Sequence, residues 1–412
     1  MPVTGTDPVV TGLGALTPLG LDTPSTWRGL VEGRSGVGPI THFDAEGLAT
    51  RIAGEVRGFD PLALLGAKRE RRTARFSQLA VAAAREAVAD AGLDLGRPDR
   101  VGVILNSALG GAPEAQQASE TLIAEGPRAI SPLYVPSTIP NMAACEVAID
   151  LGAHGPVSAG ALACASGTYA LLDARRLILA GEADVVIAGG TDAGICEVML
   201  GGLAVMGALS ERNDEPARAS RPFDGERDGF VFSEGAAVLV VESAAHARAR
   251  GANIYGHLAG GALTSDAFHV SAPEPDGKFA ARTIELALER TGTRPADLDY
   301  VCAHGTSTRA NDLTETSALH QALGSEASRV PISSPKSMLG HLLGAAGSLS
   351  AIICLLAMRD GVIPPTTNLE HPDPKCDLDY VPLNPRETPV RTAIANAFGF
   401  GGQNCVLVLR AP

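Results

Sequence analysis

FSQLAVAAAREAVADAGLDLGRPDRVGVILNSALGG, residues 76–111, reads as helix, loop, strand and glycine turn. Phe76, Leu79, Ala80, Ala83, Ala87 and Val88 recur at helical spacing, and Asp90-Ala91-Gly92 ends the run. After Pro98 the apolar VGVILNS predicts a buried strand. The same order returns about 200 residues later, with ARTIELALERTG, a loop at Pro295, the strand-like DYVCA and a glycine turn after His304. DVVIAGG and AAVLVVE close the first copy, and TAIANA and CVLVLR close the second. Strands alternating with helices predict mostly parallel sheets covered on both faces. The chain therefore reads as two α/β halves, residues 1–255 and 256–412, that share one site.

Composition fits a compact enzyme. Of 412 residues 45% are hydrophobic and 19% charged, with 47 glycines and only 4% aromatics, which predicts an Ala/Val/Leu/Ile core rich in tight turns. The net charge of −13 argues against a nucleic-acid backbone as partner. No apolar run reads as a membrane span, and MPVTGTDPVVTG lacks the pattern of a signal peptide. Seven scattered cysteines fit a reducing cytoplasm, and no Cys/His spacing reads as a zinc site. Glycines in GTDAG and SALGG fit neither dinucleotide nor P-loop patterns, so no nucleotide cofactor is expected. One basic cluster, Lys68, Arg69, Arg71 and Arg72, with Arg128 further on, is either a solvated face or a dock for an acidic partner.

Three residues carry the chemistry. Cys164 stands in ALACASG (161–167), ahead of the helix-like TYALLDARRLILAG (168–181). His304 stands in CAHGTST (302–308) and His341 in KSMLGHLLGAAG (336–347). A thiol accepts an acyl group and passes it on as a thioester, acting through its thiolate. At a helix start it meets the positive end of the dipole, which favours thiolate, and its own N–H can bind an oxyanion. Ala165, Ser166 and Gly167 are small and let a substrate approach the backbone.

With these motifs the chain resembles the β-ketoacyl-acyl carrier protein synthases, the condensing enzymes with a Cys-His-His site. The likeness runs from VVTGLGALTPLG (9–20) through VPSTIPNMAA, DVVIAGGTDA and SRPFDGERDGFVFSEGAAVLVVE to NAFGFGGQN (396–404). It implies a thiolase-like, layered α/β/α/β/α fold and decarboxylative condensation of an acyl chain with a malonyl unit. Both substrates would ride on the phosphopantetheine arm of an acyl carrier protein, with no cofactor or metal of the enzyme's own. The resemblance assigns the acyl acceptor to Cys164 and enolate stabilisation to His304 and His341. A buried, ordering lysine falls on Lys336, arm binding on Thr306 and Thr308, and the acyl-pocket gate with an oxyanion N–H on Phe400, beside Phe398. Carrier docking falls on the basic cluster.

Ser350 departs from the resemblance, because many fatty-acid elongating members carry glutamate there; Pro335 and Gln403 depart as well. These differences tilt the reading toward a type II polyketide pathway, with a homodimer or a heterodimer with a chain-length factor expected. A non-catalytic chain-length factor is disfavoured by the intact Cys164, His304 and His341. A cysteine hydrolase does not need the second histidine. A degradative thiolase needs a second catalytic cysteine, and Cys405 lies in an apolar strand rather than a glycine turn.

Overall fold

The computed structural model describes residues 7–412; the first six residues of the stretch weighed as a signal peptide lie outside it. Ten strands form one sheet: β1 (Pro8–Leu16), β2 (Val101–Asn106), β3 (Val157–Ser158), β4 (Val185–Asp192), β5 (Gly235–Ser243), β6 (Gly256–Ser265), β7 (Tyr300–Cys302), β8 (Ile332–Ser333), β9 (Thr392–Gly399) and β10 (Gln403–Arg410). Their spatial order is β8-β7-β9-β10-β6-β1-β5-β4-β2-β3. Read outward from the centre, β1-β5-β4-β2-β3 and β6-β10-β9-β7-β8 repeat the same path with the same strand directions. The two halves meet where Val9 and Val10 pair with His257 and Gly256.

The expected predominance of parallel pairing is corrected. Only the outer pairs β4-β2, β2-β3, β9-β7 and β7-β8 are parallel, and every central pair is antiparallel. The connections explain this. β9 and β10 are a hairpin joined by residues 400–402, and a hairpin can only be antiparallel. In the first half the matching link, residues 193–234, is long, so the repeat offset is not constant along the chain.

Helices α1 (Arg75–Asp90) and α2 (Met142–Leu151) cover the first half, α4 (Lys278–Thr291) and α5 (Arg309–Leu323) the second. Between the halves lie α3 (Ser166–Leu179) and α6 (Ala346–Asp360), which pack on strands of both. This gives five layers with the site at the middle one. The two central helices begin side by side because their first turns carry glycine. A Cβ on Gly347 would lie 1.8 Å from the Thr168 hydroxyl oxygen, and one on Gly167 2.7 Å from the Gly344 carbonyl oxygen. Leu343–Asp360 is long and apolar enough to cross a membrane, which corrects the sequence reading, but 83% of it is buried inside the fold, where an apolar central helix belongs.

Candidate active site

Each central helix is entered through a 3-10 turn whose first residue takes a left-handed backbone despite its Cβ: Ala163 (φ 46°) before α3 and Leu343 (φ 48°) before α6. Such a conformation costs about 1–3 kcal/mol and persists where the surroundings fix it. The Ser166 hydroxyl donates to Ala163 O (2.7 Å) and accepts from Leu162 N–H (2.9 Å), locking the first turn. Cys164 sits in it, two residues ahead of α3, and Gly344 occupies the corresponding place ahead of α6. The backbone N–H groups of Phe400 and Cys164 both approach the thiol. Burial pushes the thiol up to about 11, against the pull of the Lys336 charge. The expectation that the helix end favours thiolate is therefore corrected, because desolvation outweighs it and the resting group is a thiol.

His304 follows β7. Its N–H donates to Glu315 Oε1 (2.8 Å), and Gly305 N–H donates to the other oxygen (2.7 Å). Lys336 Nζ donates to the His304 carbonyl (2.6 Å). His341 follows the short helix Lys336–Leu339 and is tied to Val231 and Ser233 through its backbone. Leu343 N–H donates to His341 Nδ1 (3.2 Å), so Nδ1 is the acceptor and the proton sits on Nε2. That buried Nε2–H has no hydrogen-bond partner. Burial holds both imidazoles well below their usual range, helped by the Lys336 charge. Both are neutral at working pH.

Cys164 Sγ and one ring nitrogen from each histidine lie within 4.8 Å of one another. A thiol and two imidazoles so placed have the chemistry to ligate a soft divalent cation, but the buried Lys336 ammonium beside them opposes a second cation, and we do not assign them as ligands. The trio opens on a cavity of about 580 Å³. Leu109, Met199, Leu203, Phe230 and Phe232 form an apolar wall, while Thr306, Thr308, Phe398 and Phe400 line the approach. Thr306 and Thr308 share a hydroxyl–hydroxyl hydrogen bond of 2.9 Å. Phe398 packs edge-on to His304. Phe400 stands 42% exposed in the β9–β10 turn, ahead of Gly401 (φ 80°) and Gly402 (φ 73°). Gly401 N–H donates to Val270 O (2.9 Å), linking this turn to a loop at the cavity mouth.

The basic cluster divides. Lys68, Arg71 and Arg72 are exposed, whereas Arg69 turns inward to Glu146 and Asp150. Arg128 is exposed on a separate turn, Pro127–Ala129.

Several supporting residues escaped the sequence reading. Glu315 also accepts from Asn396 (3.0 Å) and faces Lys336. Asp312 receives Phe223 N–H (2.9 Å) beside the buried Arg227. Asp192, at the end of β4, accepts from Ser107 Oγ (2.6 Å) and the N–H groups of Ala108, Leu109 and Gly344, joining the Gly344 turn to the cavity wall. Its signal was an acid ending a buried strand. Glu315 and Asp312, single acids on a helix, gave none.

The comparisons agree with this geometry. The family models for the β-ketoacyl synthase N-terminal and C-terminal domains match residues 6–247 and 255–370. The 3-oxoacyl-[acyl-carrier-protein] synthase 2 of Synechocystis sp. is 47% identical over 98% of this chain and 97% of its own length. That of Coxiella burnetii is 45% identical over 97% of each. A β-ketoacyl synthase structure from Burkholderia phymatum superposes with a TM-score of 0.92 at 35% identity, covering 98% of this chain and 99% of that one. The ishigamide ketosynthase/chain length factor superposes with a TM-score of 0.93 at 36% identity, with the same coverage. Given a thiol at the head of a central helix, two neutral imidazoles facing it and full-length likeness on both counts, the chain belongs to the β-ketoacyl synthase family.

Proposed function

We propose that the protein condenses a carrier-bound acyl chain with malonyl-acyl carrier protein to give β-ketoacyl-acyl carrier protein. The Cys164 sulfur attacks the acyl thioester, a new S–C bond replaces the arm's S–C bond, and the arm leaves as a thiol with the Cys164 proton. The malonyl C–C bond then breaks and CO₂ departs. The electron pair moves onto the thioester oxygen, where His341 Nε2–H and the His304 imidazole donate to it. The enolate carbon attacks acyl-Cys164, and the tetrahedral oxygen meets the Cys164 and Phe400 N–H groups. Collapse expels the Cys164 thiolate, which takes a proton from solvent to restore the thiol. The observation that carries this reading is the fixed, unpartnered Nε2–H of His341. Thr306 and Thr308 bind the arm's amide and hydroxyl groups, and Lys336 orders the site from behind His304. Residues 1–255 and 256–412 act as halves closing on this shared site. The enzyme requires no cofactor of its own, works in the cytoplasm and dimerises with itself or a chain-length factor. The identity to the 3-oxoacyl-[acyl-carrier-protein] synthases and the superposition on a ketosynthase/chain length factor support condensation on a carrier protein, in fatty-acid or type II polyketide synthesis. Steady-state condensation with purified acyl- and malonyl-carrier protein tests the reading, and absence of β-ketoacyl product with every acyl length would overturn it.

Two predictions follow from the entrance. Reversing Lys68, Arg71 and Arg72 to glutamate is expected to raise KM for carrier-bound substrate about tenfold, with the defect shrinking at high salt. Acylation by a small carrier-free thioester should be unaffected; equal loss with both substrates would mark a folding defect. Phe400→Ala keeps the backbone donor but removes the ring. Decarboxylation without a prior acyl primer should rise and condensation should fall by less than the roughly 10²–10³-fold expected for losing an oxyanion donor. Single-turnover rates unchanged in both half-reactions would make Phe400 a packing residue.

A further inference from the structure

Asp192 is fully buried, and the four donors on its carboxylate are all uncharged. Ser107 Oγ (2.6 Å) and Leu109 N–H (3.0 Å) meet Oδ1, and Gly344 N–H (2.6 Å) and Ala108 N–H (3.0 Å) meet Oδ2. Three backbone N–H groups from two separate segments thus form one anion-binding nest, and the chain's own carboxylate fills it. The junction is tight: a Cβ on Gly344 would lie 2.5 Å from Asp192 Oδ2 and 2.8 Å from the Ala108 nitrogen. The internal repeat shows what this nest corresponds to. β4, which ends at Asp192, takes the place in the first half that β9, which ends at Gly399, takes in the second. The end of β9 runs beside the Cys164 turn, where a Cβ on Gly399 would lie 3.3 Å from the Cys164 nitrogen. The end of β4 runs beside the Gly344 turn, and there the N–H that corresponds to that of Cys164 already holds an anion.

Gly344 follows Leu343, whose left-handed backbone (φ 48°) carries the N–H that reaches His341. Two successive N–H groups fix that residue: its own, on His341 Nδ1 (3.2 Å), and the next, on Asp192. The bond to Nδ1 is what leaves the His341 proton on Nε2. We propose that Asp192 is a positioning residue for decarboxylation: by pinning the Gly344 N–H it holds Leu343 in its left-handed turn and keeps His341 in the tautomer that donates to the enolate. Without the carboxylate the Leu343–Gly344 peptide is free to turn, Leu343 relaxes toward the ordinary helical region, and its N–H leaves Nδ1. The tautomer with its proton on Nδ1 then gains ground, and its Nε2 is an acceptor that repels the enolate oxygen. This inference rests on the role proposed for His341.

The test reads the tautomer without turnover. In protein isotope-labelled at the histidine nitrogens, the His341 ring signals are identified by nuclear magnetic resonance through their loss in His341→Ala. The native ring should give one unprotonated nitrogen, Nδ1, and one protonated nitrogen, Nε2. Asp192→Asn keeps the size of the side chain and removes the charge, and it should move both signals toward the average of the two tautomers. It should also slow malonyl decarboxylation by about 10- to 100-fold, short of deleting the donor outright, with acylation of Cys164 by a small thioester nearly unchanged. Added to His341→Ala, Asp192→Asn should slow decarboxylation no further, because the ring through which it acts is gone. A further loss in the double variant, or unmoved His341 signals in the single one, would overturn the proposal. Asp192→Ala prepared with formate is the second variant. Formate should enter the vacated nest and restore the native His341 signals saturably, and no restoration at any formate concentration would count equally against the proposal. If Asp192→Asn moved the signals while native enzyme gave no β-ketoacyl product, the proposed reaction would fail and the Asp192 assignment would stand.

Discussion

Cys164→Gln is expected to lose condensation by on the order of 10⁴-fold or more, the scale of removing a nucleophile, while still decarboxylating malonyl-carrier protein. The amide fills the space of an acylated thiol beside His304 and His341, so the enolate site stays formed while no acyl group can be held. Cys164→Ala should lose acyl transfer and condensation alike. Cys164 is the one cysteine among the described residues that line the cavity, whereas Cys196 and Cys405 do not line it and are held protonated by burial. Label appearing on another cysteine of the alanine variant, with normal turnover, would show the nucleophile to be misassigned.

His341→Ala should slow decarboxylation by about 10²–10³-fold, the usual effect of deleting one preorganised oxyanion donor. The argument rests on the tautomer. Leu343 N–H occupies Nδ1, so Nε2 can only donate, and in the resting protein it donates to nothing. Cys164 acylation should change little, and His341→Gln should recover part of the loss through its amide N–H. Because both imidazoles are held well below their usual range, decarboxylation should show no histidine limb near neutrality. It should fall as the pH drops through about 6, where Asp192 takes a proton and its grip on the Ala108, Leu109 and Gly344 N–H groups weakens. Equal loss of acylation and decarboxylation in His341→Ala would remove the split that the geometry demands.

The elements that signalled themselves did so through periodicity. The helical spacing of Phe76 to Val88 falls inside α1, and the apolar runs at 101–106, 185–190 and 405–410 fall inside β2, β4 and β10. Strand direction did not signal itself. An apolar run buried on both faces looks the same in either orientation, so the antiparallel centre could be read only from the three-residue link between β9 and β10. Arg69 looked like its exposed neighbours because its partners, Glu146 and Asp150, lie 77 and 81 residues away in sequence, on α2. The site's reactive groups sat in glycine-rich turns and were legible. The carboxylates that orient them were not, since Glu315 and Asp312 become neighbours of His304 and Lys336 only when α5 folds back under the β7 turn. The tautomer of His341 depends on Leu343 adopting a positive φ, which no residue type announces.

The most direct test is peptide-mapped mass spectrometry of the His341→Ala enzyme after incubation with acyl-carrier proteins of varied chain length. Blocked at decarboxylation, it should accumulate one acyl group on the peptide carrying Cys164, discharged slowly when malonyl-carrier protein is added. An acyl group on any other residue, or none at any chain length, would contradict the account.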